Sequence, residues 1–184
     1  MNKSLTLRAA ALLGLAGLSA CAGINPKMPM YSQSVLPAAV QVPAGNRVAI
    51  ETAATGSITY ECRAKADMAG QFEWVFVGPE AKLMDRSGKA VGRYYGPPAT
   101  WESLDGSRLT ATQVAVAPGS PGAIPLQLVK GNPAVGTGVM QGVTYIQRVD
   151  TRGGVAPLAA CAQANLGARQ VVAYSADYIF YKAS

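Results

Sequence analysis

Short runs in which apolar and polar residues alternate dominate the chain from Asn46 onward. Ile58, Tyr60 and Cys62 fall on one face of an extended segment, because successive side chains of a strand point to opposite faces. Gly, Pro and Asp separate these runs, and Asp105-Gly106-Ser107 is typical of a tight turn between strands. The pattern predicts an all-β fold, either an antiparallel β-sandwich or a barrel.

Further strand patterns extend along the rest of the chain. They cover residues 72–77, 108–117, 124–130, 142–150 and 170–181. At most one short helix is expected, over residues 157–166. Strands this frequent, with so little helix between them, favour antiparallel pairing.

The first 20 residues have the organisation of a secretory signal peptide. Lys3 and Arg8 precede a run of about a dozen apolar residues, which is too short to span a bilayer. Leu18-Ser19-Ala20-Cys21 then has the form of a bacterial lipoprotein processing site, in which the Cys21 thiol takes the diacylglyceryl group. The alternative is ordinary cleavage after Ala22. Lipidation predicts a cell-envelope protein anchored to the membrane, and Ala22 favours the outer membrane of a diderm bacterium.

This processing site divides the chain into three predicted parts. They are a signal peptide over 1–20, a lipidated and Pro-rich tether over 21–42, and a β domain over 43–184. Prolines keep such a tether extended. The alternative is that part of the tether packs on the domain, since Tyr31, Val35 and Leu36 are apolar.

Histidine is absent from the sequence. Its absence excludes Ser-His-Asp and Cys-His nucleophile systems and every histidine-based zinc site. We therefore predict no metal site and no cofactor. The 16 Lys and Arg residues against 10 Asp and Glu residues are scattered, which suits an anionic membrane surface, and an exported chain is not expected to bind nucleic acid.

Cys62 and Cys161 remain once Cys21 is lipidated. Two cysteines in an exported protein predict one disulfide, because the envelope is oxidising. The alternative, a redox pair, lacks the C-x-x-C spacing.

One candidate ligand site combines aromatic and acidic residues. Trp101, Glu102 and Asp105 follow Tyr94 and Tyr95, so an aromatic platform beside two carboxylates could bind a sugar. The alternative is that Asp105 caps its own turn and Trp101 belongs to the core.

Arg148 and Asp177 form a second candidate. They are expected to pair across neighbouring strands, where they would either orient a ligand or satisfy each other. Gly136-Thr137-Gly138 has the wrong spacing for a dinucleotide loop and precedes a strand pattern, so it is interpreted as a turn.

Several motifs occur in the order seen in a known family. These are Val42-Pro43-Ala44-Gly45-Asn46, Tyr60-Glu61-Cys62-Arg63, Trp74-Val75-Phe76-Val77, Asp105-Gly106-Ser107, Thr144-Tyr145-Ile146-Gln147-Arg148-Val149 and Tyr174-Ser175-Ala176-Asp177-Tyr178-Ile179-Phe180-Tyr181. The chain resembles the uncharacterised bacterial and fungal family of domain of unknown function 3455, from about Val42 to Tyr181. The resemblance implies no reaction, and the malate dehydrogenase label of some fungal members does not suit a chain without histidine. Many relatives have a histidine where Tyr94 stands.

The leading hypothesis is a lipid-anchored binding or structural module of the bacterial cell envelope. Its expected partners are the membrane, through the lipid anchor, and an envelope glycan or small-molecule ligand. The alternative is a histidine-free hydrolase or lyase that uses Glu102 and Asp105. That alternative requires both carboxylates in one pocket, with at least one pKa raised by burial.

Overall fold

A computed structural model describes residues 31–184, in which eight strands form one antiparallel sheet. The strands are β1 (Asn46–Ala64), β2 (Phe72–Met84), β3 (Ala90–Tyr95), β4 (Thr100–Ser103), β5 (Arg108–Ala117), β6 (Leu126–Gly131), β7 (Val143–Gly153) and β8 (Arg169–Ala183). Two short 3-10 turns, Ala38–Val40 and Gln163–Asn165, complete the elements. No helix within 31–184 is long and apolar enough to cross a membrane.

The sheet closes on itself. Strands pair with their neighbours in sequence order, and β1 also pairs with β8, from Asn46 opposite Ala183 to Glu61 opposite Arg169. All these pairings are antiparallel. The predicted all-β antiparallel class is confirmed, and of the two architectures expected, the single closed sheet is the one observed.

The main core fills the inside of the ring. Alternate residues of the long strands point inward, as the period of two requires. The largest of them are aromatic or branched and lie in one cluster: Ile58, Tyr60, Leu83, Tyr94, Trp101, Leu109, Ile146, Tyr174, Tyr178 and Phe180. Each of these side chains is buried.

A second core lies outside the ring, under residues Tyr31–Val42, which we call the strap. Val40 and Val42 are 0% and 4% exposed, and they pack with Leu128 and Ile179 of the outer face. The sequence left open whether part of the predicted tether packs on the domain, and the structure shows that residues 31–42 do so. Cys21 and residues 22–30 lie outside the described residues.

Gln147 of β7 fastens the strap to the sheet. It is 0% exposed, and its Oε1 accepts hydrogen bonds from the hydroxyls of Tyr31 (3.0 Å) and Tyr181 (2.8 Å). Its Nε2 donates to Val40 O (2.6 Å) and Gln33 Oε1 (3.0 Å). The buried amide is therefore satisfied on both sides, as buried polar groups must be.

Two local predictions have different outcomes. The disulfide is confirmed: Cys62 at the end of β1 is bonded to Cys161, with their Cα atoms 5.4 Å apart. At most one short helix was expected, and over 157–166 no α-helix forms, only the 3-10 turn Gln163–Asn165. Gly167 breaks the segment with a φ of 80°, and the Asn165 side chain bonds backbone groups of Ala160 and Ala162, which competes with helix formation.

Candidate functional site

The two ends of the ring differ. One end, the turn end, carries the turns 85–89 and 104–107 and the loop 132–142. The other, the disulfide end, carries the loops 65–71, 96–99, 118–125 and 154–168, with the Cys62–Cys161 bond among them. The candidate side chains divide between these ends, the main core and the outer face.

A cavity of about 360 Å³ opens at the turn end. Its inner wall consists of side chains of the main core, chiefly Ile50, Leu83 and Met140. Leu104 and Val139, which are 73% and 47% exposed, border the opening. Pockets that bind small molecules typically have volumes of roughly 300–1,000 Å³ and mostly apolar walls, and this cavity has both properties.

The carboxylates at the rim hold the turns in place. Asp85 Oδ1 accepts hydrogen bonds from the backbone N–H groups of Ser87 and Lys89, at 2.9 and 3.0 Å. Asp105 Oδ1 accepts from Ser107 Oγ at 2.6 Å, and Asp105 Oδ2 accepts from Val139 N at 2.8 Å. Asp105 thus caps its own turn and also fixes the loop 132–142. Gly136-Thr137-Gly138 lies in this loop, where residues 136–142 form bends and turns, as expected from the sequence.

The hydrogen bonds to Asp105 lower its pKa to about 2, with the Ser107 hydroxyl as the largest cause and the Val139 amide second. Similar bonds from Ser87 and Lys89 lower the pKa of Asp85. Both groups are therefore held as carboxylates that accept hydrogen bonds.

Tyr94 and Trp101 are core residues. They are 5% and 2% exposed, and their rings stack inside the ring of strands with centroids 4.7 Å apart. Tyr178 packs against both. Both side chains point inward from β3 and β4, so Trp101 occupies the core, as in the alternative given for it, and neither ring offers the exposed face that a platform for a sugar needs.

Tyr95 and Glu102 point the other way, to the outer face. The Tyr95 hydroxyl donates to Glu102 Oε2 at 2.6 Å, and Arg93 Nη2 donates to the same oxygen at 3.1 Å. These bonds lower the pKa of Glu102, the Tyr95 hydroxyl being the largest cause. Arg93 also stacks over the Tyr95 ring at 4.6 Å.

The acid–base alternative therefore fails on both of its conditions. Glu102 is absent from the lining of the cavity that Asp105 borders, and the pKa of each carboxyl is lowered instead of raised. A proton donor near neutral pH needs the opposite shift.

The predicted pair of Arg148 and Asp177 does not form. Asp177 lies opposite Val149 in the β7–β8 register, so Arg148 projects from the opposite face of the sheet. Asp177 is on the outside, where its carboxylate pairs with Arg86 at 2.8 Å, and Arg86 also pairs with Glu51 at 2.9 Å.

Arg148 faces the inside of the ring near the disulfide end. Its Nε and Nη2 both donate to the carbonyl oxygen of Pro125, at 3.2 and 3.0 Å. Burial raises the pKa values of Tyr60, Tyr94 and Tyr174, and the positive charge of Arg148 opposes part of that rise.

Sequence reasoning missed the cavity walls. Leu83 and Ile50 alternate along β2 and β1 like any core residue, and nothing local marks the space between them. Met140 lies in the glycine-rich connection 132–142 and is buried. In the sequence, the only signal that this loop folds back over the interior is a large apolar side chain among glycines.

Comparison with curated proteins and with solved structures found no match. A family model described as "Protein of unknown function (DUF3455)" matches residues 43–182, which span β1 to β8. The chain therefore belongs to this family of unknown function, as the motifs in its sequence indicated.

Proposed function

We propose that this chain is a lipid-anchored envelope protein that binds a small, largely apolar ligand inside the turn end of its closed sheet. The observation that carries the proposal is the cavity of about 360 Å³ at that end. Closed sheets of eight strands enclose about enough space for one small ligand.

The character of the cavity supports an apolar ligand. Ile50, Leu83 and Met140 offer hydrocarbon and thioether surface, while the rim carboxylates are already bonded to backbone amides. Lys89 lies at the rim and is exposed, without an ion pair in the part of the chain that the structure describes. A ligand would gain mainly from leaving water, about 25 cal/mol for each Å² of apolar surface buried.

Neutral alkanols test this site. The purified full-length chain is titrated with 1-hexanol and 1-octanol while the methyl NMR signals of Leu83 and Met140 are followed, and we expect saturable shifts. Ala90 is exposed and lines the cavity, so Ala90→Trp should fill it and weaken binding at least tenfold. Val171→Trp, at a 66% exposed position away from the cavity, is the matched control. Shifts that do not saturate, or that persist in Ala90→Trp, would contradict the proposal.

The membrane anchor rests on the signal-peptide pattern and on Cys21. Two or three acyl chains hold a protein stably on a bilayer, since each buried methylene contributes about 0.8 kcal/mol. Metabolic labelling with a fatty acid should mark the wild-type protein and Cys161→Ser, and should leave Cys21→Ser unlabelled. Label on Cys21→Ser, or none on the wild type, would exclude this anchor.

A further inference from the structure

We propose that Arg148 forms a second ligand site, at the disulfide end, which binds the carboxylate of a small aromatic acid. Arg148 is not among the residues that line the apolar cavity, and the site does not depend on that cavity.

The register places Arg148 inside the ring. Directly opposed residues of paired strands point to the same face of a sheet. Arg148 lies opposite Tyr178 on one side and opposite Gln127 on the other. Tyr178 belongs to the main core and is 1% exposed, so the Arg148 side chain also starts toward the interior.

The ring wall is open beside this position. β4 pairs with β5 only as far as Thr100 opposite Thr110, so β5 from Ala111 onward has no strand on that side. Val116 lies opposite Gln127 and therefore faces inward, yet it is 47% exposed. Solvent, and hence a ligand, can reach inward-facing side chains here.

Within residues 31–184, Arg148 forms no ion pair with a carboxylate. Five arginines of the described residues form ion pairs: Arg63, Arg86, Arg93, Arg152 and Arg169. Arg47 and Arg108 lack one but are exposed to water, whereas Arg148 is half-buried. A guanidinium that is partly shielded from water and has no counter-charge can pair with a bound anion more strongly than a fully exposed one.

The remaining donors around Arg148 suit a carboxylate. Two of the five guanidinium N–H groups converge on the single oxygen of Pro125, which leaves the Nη1 group available. Gln127 Nε2 donates to Gln113 Oε1 at 2.7 Å, so the Gln113 amide group can donate as well. One guanidinium balances one negative charge, and its planar fork matches a carboxylate.

β2 pairs with β3 only from Glu80 onward, so the open part of the wall is also bordered by the stretch of β2 that carries Phe76, and aromatic side chains there favour an aromatic acid. Tyr60 and Phe76 meet edge to face with centroids 6.1 Å apart, and Phe76 is 50% exposed although it lies opposite Tyr60 in the β1–β2 register. An exposed, inward-facing ring offers a surface against which a second aromatic ring can pack edge to face or offset-stacked.

Phenylacetate, its neutral analogue phenylacetamide, and phenyl phosphate test the site. The full-length chain is titrated with each while the Arg148 Nε NMR signal is followed. We expect phenylacetate to shift this signal saturably. Its dissociation constant should be at least tenfold lower than that of either analogue. Saturating 1-octanol should leave phenylacetate binding unchanged, which separates this site from the cavity.

Two variants complete the experiment. Arg148→Gln should weaken phenylacetate binding at least tenfold, and Arg152→Gln, which removes an exposed arginine four residues away, should not. Equal binding of phenylacetate and phenylacetamide, tighter binding of phenyl phosphate, or unchanged binding in Arg148→Gln would overturn the proposal. If Arg148→Gln does not fold, the wild-type protein still decides the question. An Arg148 that only holds the Pro125 carbonyl predicts equal affinities for phenylacetate and phenylacetamide.

Discussion

Replacing Gln147 with leucine tests whether the strap is part of the fold. Leucine has nearly the volume of glutamine but offers no hydrogen bond. In Gln147→Leu the hydroxyl of Tyr181 and the carbonyl of Val40 lose their partner, and both residues are buried, at 3% and 0% exposed.

The expected cost follows from these two groups. Each buried polar group left without a partner costs about 1–3 kcal/mol, so the free energy of unfolding should fall by about 2–5 kcal/mol after the gain from the apolar leucine. The other two partners keep alternatives: Tyr31 is half-exposed, and Gln33 Oε1 still accepts from Val42 N at 2.7 Å. Because a domain of this size is stable by about 5–15 kcal/mol, the variant should fold with a clearly lower urea midpoint.

Urea unfolding followed by tryptophan fluorescence measures this change. Gln113→Leu, which replaces an exposed glutamine with a single side-chain hydrogen bond, is the control and should cost less than about 1 kcal/mol. Adding Tyr181→Phe to Gln147→Leu removes one of the orphaned groups and should recover part of the loss. A loss below 1 kcal/mol in Gln147→Leu, or no recovery in the double variant, would refute the reasoning.

Two further predictions concern the disulfide and Asp105. Reduction of the Cys62–Cys161 bond, whose sequence separation is 99, should lower the free energy of unfolding by about 4–5 kcal/mol in urea melts, and a change below 1 kcal/mol would contradict the chain-entropy argument. The Asp105 pKa is about 2 when folded, below its ordinary value of about 3.9, so its stabilising effect is complete above pH 4 and is lost as the pH falls toward 2. Asp105→Asn should therefore lose less stability between pH 4 and pH 2 than the wild type, and identical acid profiles would contradict this.

Local features of the fold were predictable from the sequence. The strand at Arg108–Ala117 was predicted with the observed bounds, because alternation of side chains is a property of one segment. The disulfide was predictable from cysteine number and compartment. Asp105 was predictable as a turn cap because the carboxylate bonds groups only two residues away.

Features that depend on distant pairing were not predictable. The sequence predicts that Arg148 and Asp177 pair, but the register puts them on opposite faces, and register is set by contacts along the whole of β7 and β8. The proline content of the strap suggested a linker and concealed Val40 and Val42, whose burial depends on the outer face of the closed sheet. Nothing local in the sequence marks Gln147 as buried, because its burial depends on the strap that covers it.

Closure of the sheet has a consequence for how the chain reaches its native state. β1 begins at Asn46 and its longest pairing is with β8, which begins at Arg169, so the ring cannot be completed until β8 is available. Pairings between such distant segments fold slowly, because the loop between them must be closed before any contact is gained. Until β8 has been made, β1 therefore lacks its longest pairing and the ring stays open.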